Sequence, residues 1–205
     1  MIIEQYGITL TRLTEADIEL VRHWRNHKEI RKHFAFQKHI SKKMQVKWFH
    51  AINNKNNYFF IISCKGEKIG VINCMKADVK NMIGEGGIFI WDPRYQGSEI
   101  PVFATLCLLD TIFFVLRISD KSVVRILKNN DRAIRYNKLL GYVLLPGQEH
   151  QKHQYYFLTK NDYEKKSEKI RRAAQIISGD FLPPRIKGSP SQINLDEINK
   201  VLAKN

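Results

Sequence analysis

The stretch at 58–118 constrains the fold more than any other part of the 205-residue chain. It holds two apolar runs, YFFIISC and KIGVINC, joined at Lys65-Gly66-Glu67-Lys68, the pattern of a β-hairpin. MIGEGGIFIWD follows as a third strand, then the turn PRYQGSE, then a long apolar run at 102–118. That run contains Asp110 and Arg117, so it falls short of a membrane span and predicts a buried helix over about 99–118.

The flanking segments alternate between strand and helix signals. Upstream, ITLTRLT alternates apolar and polar residues and predicts a half-buried strand at 7–14. Thr14 is placed to cap a helix over 15–26, whose first turn is acidic and whose Ile18, Val21 and Trp24 share a face. A second helix is expected at 41–53, with Val46, Phe49 and His50 on one side. Downstream, KSVVRILK is a strand, NNDRAIRYNKLLGY an Asx-capped amphipathic helix closed by Gly141, and HQYYFLT a last strand. The order implies an α/β (α+β) fold, one mixed sheet with helices on both faces. Beyond about residue 162 the character changes: KKSEKIRRAAQII is a basic helix, SGDFLPPRIKGSPSQ a linker, and INLDEINKVLAKN a short amphipathic helix. The chain therefore divides into a domain at 1–162 and an extension at 163–205, whose final segment INLDEINKVLAKN could dock in cis, pair two subunits as a homodimer or contact another protein.

Composition narrows the function classes. The 34 Lys and Arg against 20 Asp and Glu leave a formal charge of +14, while 43% apolar and 11% aromatic residues exclude a disordered basic tail. Such an excess favours anionic partners: nucleotides, phosphorylated cofactors or RNA. Cys64, Cys74 and Cys107 form an odd set without CxxC spacing, each in an apolar stretch, as reduced thiols packed in a core would be. With neither a secretory signal nor a membrane span, the expected setting is cytoplasmic. His23 and His27 lie four apart, but spacing supplies no third ligand, so no metal site is expected.

Two motifs carry chemistry. A strand, then Pro93-Arg94-Tyr95-Gln96-Gly97-Ser98-Glu99, then a helix presents unpaired backbone N–H groups where the helix dipole favours a phosphate. The second is the capped helix from Asn129 to Tyr142. Each alone is compatible with a purely structural role; their order and separation are more specific. Together they resemble the GNAT superfamily of acyl-CoA-dependent N-acyltransferases, with its Q/R-x-x-G-x-G/A pyrophosphate loop and N-x-x-A-x-x-x-Y-x-x-x-G-F helix. Arg94, Gly97, Asn130, Ala133, Gly141 and Tyr142 match those positions, and the likeness extends over 7 to about 160. The opening R-L-T-E-A-D-I-E-L-V-R-H-W-R-N looks like the branch holding nucleotide-amino-sugar N-acetyltransferases of the pseudaminic-acid pathway type; ribosomal-protein N-terminal acetyltransferases share it loosely.

The resemblance implies a GNAT-like, mostly antiparallel sheet with a C-terminal helical tail, and acetyl-CoA as co-substrate. The acceptor would be a small-molecule amine, the amino group of a nucleotide-linked sugar; a protein N-terminus is the alternative, and a non-catalytic module binding RNA or protein a second one. No membrane partner is expected. The cofactor would be held by the backbone of Ile90, Trp91 and Asp92, by Arg94, Gln96, Gly97 and Ser98, and by Asn130 and Asn137. Two positions depart from the pattern. Glu99 replaces the last small residue of the loop and is expected to face solvent. The family tyrosine falls on Asn137, with Tyr136 displaced by one residue, about 100° around a helix. Either Tyr136 reaches the sulfur as catalytic acid, or Asn137 only hydrogen-bonds the cofactor. Glu85, on the strand leading to the loop, is the candidate base. The block at 22–55 holds ten Lys and Arg against one Glu. It is either a solvated face or an acceptor lobe in which Arg25 and Asn26 bind a diphosphate or sugar, with Trp48 or Phe34 against the base.

Overall fold

The computed structural model describes residues 1–54, 56–78 and 81–188. Strands β1 (Ile2–Gln5) and β2 (Ile8–Arg12) are joined by a two-residue turn in which Tyr6 and Gly7 both have positive φ, 54° and 73°. Such a turn matches the twist of the strands it joins. The hairpin predicted at 65–68 forms in the same way, with Lys65 and Gly66 at φ 50° and 81° between β3 (Tyr58–Cys64) and β4 (Glu67–Asp78). β5 (Ile83–Ile90) runs antiparallel to β4. Helix α4 (Ile100–Asp110) then crosses over to β6 (Lys121–Leu127), which is parallel to β5, the one parallel pairing among the described residues. β7 (Val143–Leu144) and β8 (His153–Thr159) close that side of the sheet. A ninth strand, β9 (Arg185–Lys187), pairs with β1, and the order across the sheet is β7-β8-β6-β5-β4-β3-β2-β1-β9.

Helices cover both faces. On one, α1 (Ile18–Asn26), α2 (Lys28–Arg31) and α3 (Lys42–Ile52) bury Val21, Ile30 and Phe49 against Leu13, Phe59, Ile61, Val71 and Trp91. On the other, α4 packs with α5 (Asp131–Leu139), α6 (Lys160–Lys166) and α7 (Glu168–Ser178) over the larger cluster containing Leu10, Phe60, Ile62, Ile72 and Val124. The fold is thus a mixed, mostly antiparallel α/β sheet with helices on both sides, as the sequence predicts.

The structure differs from the sequence reading at several points, among them the unexpected short helix α2 and the division of the predicted basic helix into α6 and α7 at Ser167. β1 precedes the strand predicted at 7–14. The helix expected over 99–118 is α-helical only to Asp110; Thr111 to Val115 form a π turn, where the Thr111 hydroxyl donates to the Cys107 carbonyl at 2.7 Å and competes with the backbone ladder. The segment predicted as linker at 178–192 contains β9, and the extension is built into the sheet: Tyr163 and Ala174 are buried in the core, and Asp180 accepts from the Tyr6 amide at 2.9 Å and from Arg185. The short helix predicted within 193–205 lies outside the described residues.

Candidate active site

The parting of β5 from β6 positions the site. The two strands pair only from Ile83↔Lys121 to Gly86↔Val124. Past that point β5 stays with β4, out to Ile90↔Gly70, while β6 stays with β8, out to Leu127↔His153. A V opens between them, and the cavity that fills it has a volume of about 860 Å³. Gly87, Ile88, Phe89 and Ile90 line one arm, Arg125, Ile126 and Leu127 the other.

The predicted phosphate loop forms one end of this cavity. Gln96, Gly97 and Ser98 line it. Gln96 is anchored by donating to the Ile90 carbonyl (3.1 Å), and the Ser98 hydroxyl donates to Tyr95 O while accepting from Ile100 N (3.2 Å). The amides of Gly97, Glu99 and Val102 have no acceptor among the described residues. They stand where the helix dipole favours an anion. Gly97 has an ordinary φ, and a Cβ built on it would meet nothing within 4 Å. Neither backbone strain nor protein packing requires a glycine there, whereas a close approach of phosphate oxygens would. Glu99 is exposed, as the sequence reading expects. Other proposed cofactor contacts face elsewhere. The Trp91 and Asp92 amides donate to Ile69 O (2.9 and 3.4 Å), and Trp91 is buried against Trp24, with its indole N–H on Lys68 O. Arg94 is exposed and tied to Asp92 and Glu67.

Helix α5 forms the roof. Asn130 caps it by accepting from the Ala133 amide (3.1 Å), and Asn137 is buried, donating to the Ala133 carbonyl (2.8 Å); both line the cavity. Tyr136 also lines it, but its phenol donates to Pro101 O (2.8 Å) and bonds the Thr105 hydroxyl, against the first turns of α4. Burial raises its pKa well above 10. After α5, Gly141 takes φ 99° and the Tyr142 amide bonds back to Asn137 O (3.1 Å), the Schellman closure of a helix. That closure turns the Tyr142 ring into the sheet, where its hydroxyl meets Ser122 Oγ of β6 at 2.7 Å. The sequence reading gave neither Tyr142 nor Ser122 a chemical role.

The cavity continues to the α1–α3 face of the sheet. Glu85 lies there, half-buried on β5 opposite Met75 and Val123, beside Asn73, whose carboxamide covers Gly87. Trp48 packs edge-on to Phe59, and Phe34 edge-on to Phe89. Arg25 reaches into this wall with its guanidinium 3.9 Å from the Phe34 ring centre. Its Nε is buried without a hydrogen-bond partner, no carboxylate pairs with it among the described residues, and burial pushes its pKa down to about 10. Asn26, in contrast, is occupied: it donates to Ile40 O (2.9 Å) and accepts from Ile40 N (2.8 Å), pinning the loop before α3. Arg25, Lys121, Arg125 and Arg132 outnumber Glu29 and Glu85 among the charged lining residues. Among the described residues no cluster of His, Cys, Asp and Glu could hold a metal ion, and no helix is long and apolar enough to cross a membrane.

A mixed sheet whose parallel pair splays beside a helix N-terminus is the arrangement that the resemblance to the acyltransferases implies, and the family comparison agrees. Residues 8–143 match the acetyltransferase (GNAT) domain model, so the chain belongs to that family and is an N-acetyltransferase. No curated protein matches it. Among solved structures it is similar to FdhC, a nucleotide-linked sugar GNAT, at 20% identity and TM-score 0.69 over 84% of this chain and 97% of that one. It is also similar to a spermidine N-acetyltransferase from Vibrio cholerae, solved with CoA and spermine, at 16% identity and TM-score 0.67 over 77% and 98%. A domain from Methanocaldococcus jannaschii gives 24% identity and TM-score 0.65 over 74% and 97%. Identities this low establish the shared fold.

Proposed function

We propose that the protein transfers the acetyl group of acetyl-CoA to the primary amine of an anionic acceptor, the amino group of a nucleotide-linked amino sugar. The observation that carries this reading is Arg25, a part-buried guanidinium in the cavity wall whose buried Nε has no hydrogen-bond partner and which no carboxylate pairs among the described residues. A part-buried charge without a partner is costly, and a phosphate or diphosphate of the acceptor would neutralise it by a bidentate contact. A polycationic acceptor would be repelled by it and by Lys121, Arg125 and Arg132.

The residues present suit the donor. The amides after Tyr95 would hold its diphosphate, and its extended arm would lie between the parted strands, hydrogen-bonding to the edge of β5 that β6 leaves free. Glu85, directly or through water, would take a proton from the acceptor's ammonium, and the neutral amine would attack the thioester carbonyl. Trp48 and Phe34 offer aromatic faces to a nucleobase.

The test is free-thiol release from acetyl-CoA with UDP-linked amino sugars, spermidine, an aminoglycoside and a basic N-terminal peptide as acceptors. Turnover with the nucleotide sugars at a kcat/KM at least a hundredfold above the cationic amines supports the proposal. Preference for a cationic amine or the peptide overturns it.

A further inference from the structure

Resting on the acetyl-CoA reading, we propose that the Ser122–Tyr142 hydroxyl pair is the hydrogen-bond donor that receives the departing thiolate. The count of hydroxyl protons differs between the two tyrosines that line the cavity. At the Tyr136 site two hydroxyls meet two acceptors: Thr105 donates to the phenol oxygen and the phenol donates to Pro101 O, so both protons are used. At the Tyr142 site two hydroxyls share a single bond of 2.7 Å, and no other hydrogen bond joins either one to a described residue. One O–H proton is left without an acceptor in a buried place, an expensive condition unless something else accepts it. Tyr142 is 3% exposed and Ser122 6%, yet both line the cavity.

The position of this spare proton gives it a use. A Cβ built on Gly86 would lie 3.6 Å from Ser122 Oγ and 3.9 Å from the Tyr142 hydroxyl, so the pair sits beside the last residue at which β5 and β6 are joined. This is the floor of the V. Either hydroxyl can donate within the pair; towards a thiolate the more acidic phenol is the better donor, so the arrangement that serves the leaving group has Ser122 donating to Tyr142 and the phenol O–H facing the cavity. Burial raises the Tyr142 pKa, so the phenol keeps its proton and acts by hydrogen bonding.

The step balances on that basis. The acceptor's ammonium sheds one proton before attack and its nitrogen sheds a second as the intermediate collapses. The C–S bond breaks with its electron pair on sulfur, the phenol O–H bonds to that thiolate, and one of the two protons later returns to make the free thiol. The resemblance puts the thiolate partner at Asn137, whose carboxamide donates one N–H to Ala133 O and has only a second, far less acidic N–H to offer where a phenol would offer an O–H.

The experiment combines kinetics with the ultraviolet thiolate absorbance of bound CoA. In Tyr142→Phe, kcat should fall about tenfold to a hundredfold, the range of a hydrogen bond to a charged group, with the KM for acetyl-CoA unchanged. The thiol of bound CoA should titrate about one pH unit higher than in the wild-type protein. The double variant Ser122→Ala, Tyr142→Phe removes both hydroxyls without orphaning either and should show the same rise at wild-type thermal stability. Gly86→Ala has room for its methyl group, 3.4 Å from Val124 Cγ1, and should keep the fold while obstructing the pair and lowering kcat. An unchanged thiol pKa in the double variant overturns the proposal, as does a thiol pKa that moves in Tyr136→Phe and not in Tyr142→Phe. CoA that fails to bind the wild-type protein in calorimetry overturns the acetyl-CoA reading itself, a result distinguishable from the others.

Discussion

Replacing Arg25 by Met should move stability and activity in opposite directions. The guanidinium pKa falls from 12.5 to about 10 because burial disfavours the charge. At about 1.4 kcal/mol per pH unit the folded protein bears a burden of about 3 kcal/mol. Stacking on Phe34 at 3.9 Å returns about 1 to 2 kcal/mol. Met keeps the aliphatic stem, so the variant should gain about 1 to 2 kcal/mol, or roughly 2 to 8 °C in Tm for a chain of this size. Because the folded pKa lies below the unfolded one, the burden is present throughout the neutral range and fades only as pH rises through about 10 towards 12.5. The gain should therefore be flat from pH 6 to 9. Binding should suffer: an anion deprived of its buried partner costs about 2 to 5 kcal/mol, a rise in acceptor KM of roughly 30-fold to several thousandfold. Differential scanning fluorimetry and initial rates check the two halves. A Tm at or below that of wild type would refute the reasoning, since it would mean that Arg25 is already satisfied inside the protein and has nothing left to offer a substrate.

Gly97→Glu should abolish CoA binding in calorimetry with Tm unchanged within about 1 °C, because the position has an ordinary backbone and open space around it; retained affinity would move the phosphate site elsewhere. Gly141→Ala should cost about 2 to 3 kcal/mol in denaturant melts, combining a φ of 99° with a methyl group placed 3.2 Å from Lys166 Cβ. Asp110 is buried among Tyr163, Tyr6 and Arg171, and burial outweighs their opposing pull to raise its pKa above 3.8. A carboxyl raised in this way stabilises the fold in its protonated form and loses that contribution as pH rises through the folded value. Tm of Asp110→Asn minus that of wild type should consequently grow from pH 4 to pH 7, and a difference that stays constant would argue against a strained carboxylate.

Local signals in the chain were enough to foretell the central architecture. The 65–68 turn, the glycine closing α5 and the apolar run of α4 each follow from short-range preferences that tertiary contacts reinforce. Asn130 is a helix cap in both sequence and structure. Elements defined by distant partners were not legible. β9 is three residues in a Pro- and Gly-rich stretch and becomes a strand because β1 presents an unpaired edge to it. β1 itself is four residues long, too short for alternation to stand out. At the site, residue types were easier to anticipate than their commitments. In W-R-N, Trp24 stacks on Trp91, Asn26 is spent on Ile40, and Arg25 alone faces the cavity. Nothing in the three letters distinguishes them. The tyrosine pair shows the same limit, since which phenol has a proton to spare depends on Thr105, Pro101 and Ser122, all remote in sequence from 136 and 142.

The pairing of β9 with β1 bears on how the molecule comes into being. Strand β1 waits for β9, about 180 residues further along, before its outer edge is covered, so a growing chain carries a bare row of peptide groups at Ile2–Gln5 until about residue 187 has emerged. A shortened version ending where the family likeness ends, at 143, would keep that row bare permanently and also lose β8 and the buried Tyr163. Anyone trimming the gene for crystallisation should expect such a product to self-associate through strand addition, and should cut no earlier than the residues that follow Lys187.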